Sequence, residues 1–242
     1  LLAARRIDGA EQFFTRAYDF GYSKSTEEAF AIWNKEKVLA DVVWVIRNFK
    51  PDVIITRFPE DNRAGHGHHS GSAVLAREAF IAAADSSRYP EQFKYGVRPW
   101  QANRILWNTF NFGNTNTTAE NQFRIDVGVY NPLLGKSFGE IAAESRSQHK
   151  SQGFGVPSSR GSALEYFIPT GGEAPKSSLM DGVDTTWQRV ENSTSVNQKI
   201  DQLISSYVVT RPDLSVKPLT LLYQDLLSLK DSYWKIQKLK EV

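Results

Sequence analysis

Three of the chain's 4 histidines fall in one tetrapeptide, His66-Gly67-His68-His69. Imidazole is the usual protein ligand of catalytic zinc and the side chain best placed to move protons near neutral pH. A cluster of this density therefore points to metal binding or proton transfer. Adjacent side chains diverge, so the cluster supplies one or two groups and the rest of a site must come from elsewhere. Gly65 and Gly67 allow the backbone to turn tightly beside a bound ion or substrate. A surface loop that happens to carry histidines is the competing account. It would win for a single His and loses ground for three at the junction of a strand and a helix.

A second polar run, Ser145-Arg146-Ser147-Gln148-His149-Lys150-Ser151-Gln152, holds the fourth histidine at the end of a predicted helix. A basic residue near the last carbonyls of a helix is favourable in itself, so this run reads equally as an ordinary helix terminus. Arg57 and Asp61, between the predicted strand and the His cluster, either orient a ligand or pair with each other. Arg5, Arg6, Asp8 and Glu11 share a helix at spacings that permit pairing, which makes a solvated face the default. The 6 Trp and 9 Tyr offer sugar-stacking platforms, although most belong to the core. Asn192-Ser193-Thr194 fits the glycosylation sequon, a pattern too short to carry weight.

The elements that position these residues follow from periodicity. Helical spacing from Ala4 through Ala17 predicts a helix ending near Gly21. Thr26, an N-cap with Glu27 and Glu28 behind it, opens a second helix that runs to Phe49 and is stopped by Pro51. The mostly apolar run Asp52-Val53-Ile54-Ile55-Thr56-Arg57 reads as a buried strand, Phe58 to Gly65 as a loop, and Ser70 to Ala84 as a helix. Further strands are predicted over 104–110, 123–129 and 163–168, and a helix over 137–148. The order helix, strand, loop, helix implies an α/β fold, Rossmann-like, with a mostly parallel sheet flanked by helices. The His cluster then lies beyond the carboxyl end of a strand, where open α/β sheets place their sites. Thr170 to Thr194 reads as a boundary loop, and helices over 196–207 and 218–240 form a C-terminal helical extension. Its expected core stripe is Leu221, Leu222, Leu226, Leu227, Leu229, Tyr233 and Trp234. The resulting division is 1–169, 170–195 and 196–242.

Composition narrows the function classes. The 29 basic against 27 acidic residues leave a net charge of +2, with no basic stripe of the kind a nucleic-acid binder shows. No apolar run approaches the roughly 20 residues that span a bilayer. Cysteine is absent, which removes thiolate catalysis and cysteine zinc sites, so a metal must be held by His, Asp or Glu. The only methionine is Met180, so Leu1 is read as lying inside a longer parent, with any signal peptide upstream and the compartment unassigned.

The blocks Pro51-Asp52-Val53-Ile54-Ile55-Thr56, Gly65-His66-Gly67-His68-His69 and His149-Lys150-Ser151-Gln152 together resemble the PIG-L / LmbE family of zinc-dependent N-acetylglucosamine deacetylases. The resemblance covers about Pro51 to Gln152. It implies that His69 is a Zn2+ ligand and that His66 polarises the amide carbonyl or acts as a general acid. It also implies that His149 lies near the site with Gln152, which adds these two to Arg57 and Asp61 as substrate-binding candidates. The family often has Asp at the position of His68. Its remaining zinc ligands and its base carboxylate come from a His-Pro-Asp-Asp motif, and no His-Pro pair occurs in this chain, so these are expected upstream of Leu1. The implied reaction releases acetate and a free amine from a small-molecule or glycan substrate bearing N-acetylglucosamine, with activity falling in acid as His69 protonates. Two other readings stay open: a non-catalytic sugar-binding relative, and a different metal-dependent hydrolase such as a two-metal phosphoesterase.

Overall fold

The helix expected over the first 21 residues is much shorter in the computed structural model, which describes residues 1–242 apart from 133, 154, 233, 237, 238 and 240–242. Helix α1 spans Leu2–Asp8 and stops where Gly9 enters the left-handed region at φ 72°, its N–H donating to Arg5 O at 2.9 Å. The Asp8 carboxylate accepts the Ala10 N–H at 3.0 Å, which offers the backbone a turn in place of the next helical bond. From Gly9 to Ser25 the chain has neither helix nor strand.

The single helix expected from Thr26 to Phe49 is two helices. α2 (Thr26–Trp33) and α3 (Lys35–Phe49) meet at Asn34, which sits at φ 60° and accepts from the Lys37 N–H. Asn tolerates this conformation because its short side chain can bond locally. β1 (Val53–Thr56), α4 (Gly67–Ala82) and β2 (Arg104–Asn108) follow. Two short ladders come next: β3 (Asn111–Phe112) pairs with β4 (Thr115–Asn116). Beyond β5 (Phe123–Asp126), β6 (Tyr130–Asn131) pairs with β7 (Lys136–Ser137). A capping box of Ser137 and Glu140 opens α5 (Phe138–Arg146), and β8 (Leu164–Gly172) completes the sheet.

The fold is α/β, a four-stranded sheet in the order β1-β2-β8-β5 with helices packed on it. The sheet is mixed, not mostly parallel as expected: β1 pairs parallel with β2, while β8 runs antiparallel to both β2 and β5. Parallel neighbours need a crossover element between them. α4 supplies one between β1 and β2 and packs on β1 and β8, whereas α5 packs on α1. β8 also extends to Gly172, into the stretch expected as loop from Thr170.

The main core lies between two helices, with Val38, Leu39, Val43 and Ile46 of α3 against Leu75, Ala79 and Ala82 of α4. Phe80 and Ile105 join α4 to the sheet. Arg47 is fully buried among these residues. Its guanidinium donates to the carbonyls of Ala82, Ala83, Asp85, Arg88 and Tyr89 and to Gln92 Oε1, at 2.8–3.3 Å. Carbonyls at a helix end lack an intrahelical donor, and Arg47 supplies it for the end of α4.

The chain divides into two compact units, residues 1–181 and 182–242. In the second, α6 (Thr194–Ser206) and α7 (Val216–Ser228) pack around Trp187, Val190, Val196, Leu222 and Leu226. The helix expected from Pro218 to Lys240 stops at Ser228, where Leu229 leaves with ψ 146° and Lys235 Nζ takes the Leu227 carbonyl at 3.1 Å. Leu222, Leu226, Leu229 and Trp234 of the expected stripe belong to this core. Leu221 and Leu227 are exposed, and Tyr233 and Lys240 lie outside the described residues. Among the described residues no helix is long and apolar enough to cross a membrane.

Arg47→Ala leaves several buried acceptors without a donor, so the unfolding free energy should fall by about 3 kcal/mol or more, with Arg47→Lys recovering part of it. Urea midpoints check this; equal midpoints for wild type and Arg47→Ala would remove Arg47 from the role.

Candidate functional site

α4 begins at Gly67, with His66 as an extended N-cap (φ −130°, ψ 151°) that makes no side-chain cap bond. The first amides of a helix have no intrahelical acceptor. Here Ser23 provides two: its carbonyl accepts from Gly67 N–H at 3.1 Å and its hydroxyl from His68 N–H at 2.8 Å. Ser23 is 0% exposed. Gly67 is obligatory in this arrangement, because a Cβ there would stand 1.9 Å from the Ser25 carbonyl oxygen. The hydroxyls of Thr26 and Ser70, 2.6 Å apart, add a further link between α2 and α4.

The docked helix start sets the histidine rings. His66 and His69 are stacked, with centroids 4.8 Å apart and planes 9° apart, and His69 is also stacked on Phe58 at 3.8 Å and 4°. Tyr22 meets His66 edge-on at 4.7 Å. His69 Nδ1 lies 2.9 Å from the Ala64 carbonyl, so Nδ1–H donates there and Nε2 carries the free lone pair. His68 points elsewhere: it stacks on Trp33 at 4.8 Å and meets Phe20 edge-on at 4.3 Å, and its Nε2 is buried without a hydrogen-bond partner. The cluster thus divides into a chemically available pair and a packing residue.

A cavity of ≈ 100 Å³ beside His66 is lined by Lys24, Thr26, Asp61, Asn62 and Ser70 among others. A larger one of ≈ 270 Å³ shares Asp61 with it and includes Phe58, Arg63 and Trp107. Asp61 pairs with Arg63 at 2.7 Å, and this guanidinium holds its carboxyl below the usual range. The pairing of Arg57 with Asp61 weighed from the sequence does not form. Arg57 donates instead to Asn108 Oδ1 and faces Glu165 at 3.7 Å, with its guanidinium over Phe110. Phe110 packs on Phe58, which stacks on His69, so two rings stand between Arg57 and His69.

His149 lines a different groove of ≈ 370 Å³, with Arg5, Asp8, Phe138, Ser145 and Arg146, and this groove shares no lining residue with the His66 cavity. Gln152 accepts from Arg146 at 3.1 Å. The Arg5–Asp8 pair expected on α1 is formed, but it is more than a solvated face, because Asp8 also accepts the Ser145 hydroxyl at 2.7 Å. The Arg5 guanidinium, and then the Ser145 hydroxyl and Ala10 N–H, hold the Asp8 carboxyl well below the usual carboxylate range. Ser23, Tyr22 and Phe58 were missed by sequence reasoning. They stand in segments with no periodicity, and only the 3.6-residue stripe of α4 hinted at what must face them.

Among the described residues no group of three or more His, Cys, Asp or Glu is placed to hold a metal ion. No family model matches the chain. Mycothiol S-conjugate amidase of Streptomyces coelicolor is 30% identical to it over 135 residues, covering 53% of this chain and 45% of that protein. The chain therefore spans less than half the length of this relative.

Ser23→Ala removes the acceptor of a buried amide and should lower stability by about 1–2 kcal/mol. The imidazole NMR signals of His66 and His69 should shift with it while those of His149 stay; unmoved His66 and His69 signals would separate Ser23 from the site. A carboxylate with a depressed pKa stabilises the fold above its ordinary pKa of about 4, and that share is lost as pH falls toward the folded value. The stability difference between wild type and Asp8→Asn should accordingly be largest above that pH and shrink in stronger acid. Urea melts across this range check it, and a pH-independent difference would rule out the ion pair as its source.

Proposed function

We propose that this chain carries the imidazole part of an amide-hydrolysing site, one that releases acetate and a free amine from a substrate of the N-acetylglucosamine type. The observation that carries this reading is the stacked pair His66–His69 at the start of α4. His69 is fixed by Ala64, and His66 has an exposed ring that makes no cap bond. The name of the Streptomyces relative, an amidase acting on a mycothiol S-conjugate, agrees with an amide as the scissile bond in a small molecule. The sugar half of the reading rests on the motif blocks described above.

In this reaction water adds to the carbonyl carbon and the carbonyl oxygen becomes an oxyanion. His66 donates a ring N–H hydrogen bond to that oxygen; single donors of this kind are worth about 3–4 kcal/mol. Collapse of the tetrahedral species breaks the C–N bond, the proton lost by the attacking water passes to the leaving nitrogen, and the acyl group departs as acetic acid, which ionises to acetate. Asp61, kept ionised by Arg63, is a weak base and fits recognition of substrate hydroxyls better, as does Arg57. We assign His149 and Gln152, in their own groove, no step.

His69, with its Nδ1–H held by the Ala64 carbonyl, leaves Nε2 as the atom that would ligate a metal. Catalytic zinc takes three protein ligands, and the described residues hold no such group. They therefore do not fit zinc by themselves, and no step above is derived through it.

Acetate and primary amine should appear in equal amounts when the protein is incubated with N-acetylglucosamine or a thiol conjugate bearing it, with and without added zinc. His66→Ala should lower turnover by about 10²–10³-fold, and His69→Ala, which removes the ring stacked on His66, should lower it as well. Absence of acetate from both substrates under both conditions would sink the hydrolytic reading.

A further inference from the structure

Tyr22 is 67% exposed, yet its backbone is held on both sides. Ser23 behind it is buried and bonded twice to the start of α4. Phe20 before it is wedged edge-on against both His68 and Trp33, and Trp33 Nε1 donates to the Tyr18 carbonyl at 2.7 Å. The ring therefore stands out from an anchored segment. It touches His66 at 4.7 Å with the planes 67° apart, an edge contact that leaves an aromatic face open.

Leaving a large aromatic in water forgoes the free energy of burying it, and the fold keeps Tyr22 exposed. An exposed aromatic held rigid beside a reactive imidazole is instead a binding surface, because an ordered platform loses little entropy when a ligand arrives. The chemistry that matches it is a saturated ring with one apolar face and a polar rim. Tyr22 offers the face, and the cavity beside His66, the residue Tyr22 touches, offers Lys24, Asp61 and Asn62 to hydroxyls.

We propose that Tyr22 is the platform for the ring of the substrate's amine half and thereby sets a preference for ring-bearing over open-chain N-acetyl amides. The proposal rests on the amide-hydrolysing reading of His66.

The test is equilibrium binding of two probes, N-acetylglucosamine and N-acetylethanolamine, to the purified chain by ligand-observed NMR titration. Both carry the acetamide and only one carries the ring. Wild type should bind the sugar about tenfold more tightly, the scale of one aromatic contact. Tyr22→Ala should bring that ratio close to one, while Tyr22→Phe and Tyr22→Trp keep it, since the ring and not the hydroxyl is invoked. A wild type without the preference, or Tyr22→Ala that retains it, overturns the proposal. Because binding needs no turnover, the two readings fail separately. A Tyr22-dependent preference without acetate release sinks hydrolysis alone, and acetate release with an unchanged ratio in Tyr22→Ala sinks the platform alone.

Discussion

Gly67 passes so close to the Ser25 carbonyl that no side chain fits between them, and the amides of Gly67 and His68 end on Ser23. Once those two amides are spoken for, α4 can start at only one residue. Its N-cap is then His66, in an extended conformation. His69 lies one turn further on, so the two imidazoles meet face to face while His68 is turned toward α2 and into Trp33. A slip of one residue in the helix start would exchange these environments. The irregular segment before α2 is thus a structural part of the site, although it contains no regular element of its own.

The other end of α4 is fixed with comparable stringency. Arg47 reaches from α3 to the carbonyls at and beyond the end of α4, and its charge is met by oxygens, not by a carboxylate. Carbonyls at a helix C-terminus carry partial negative charge, which suits a buried guanidinium with five donors. Between these two ends the helix is packed on α3 through Leu75, Ala79 and Ala82 and on the sheet through Phe80. A residue at the first turn of such a helix has little freedom to move along or around its axis, which is what a reacting group needs.

The unit from Thr26 to Ala84 was the most legible part of the sequence, because its apolar positions repeat at helical spacing on both sides of a short Val-Ile-Ile run. The start of α4 was read three residues late, since His66 and Gly67 are neither usual caps nor helix formers; the bonds that begin the helix come from Ser23, far away in sequence. Asn34 broke one helix into two without the Gly or Pro that normally marks a break. Gly9 lay inside a periodic pattern and ended it, because the Asp8 side chain competes for the next amide. Strand direction is carried by connections and not by side-chain pattern, so the antiparallel course of β8 had no signature in its own residues. In the site, the motif identified His66 and His69 as a pair. It contained nothing about Phe58 or Tyr22, the rings that hold the pair in place.

That packing also explains why two histidines of one motif can take different roles. His69 is enclosed on one face by Phe58 and on its Nδ1 side by the Ala64 carbonyl, which fixes its tautomer and leaves a single lone pair to act. His66 has no such bond, stands at the surface, and is limited only by the rings of His69 and Tyr22. A group that must offer a lone pair in one direction benefits from the first environment, and a group that must gain and release a proton benefits from the second. The difference between the two ring environments follows from packing around α4, before any substrate is considered.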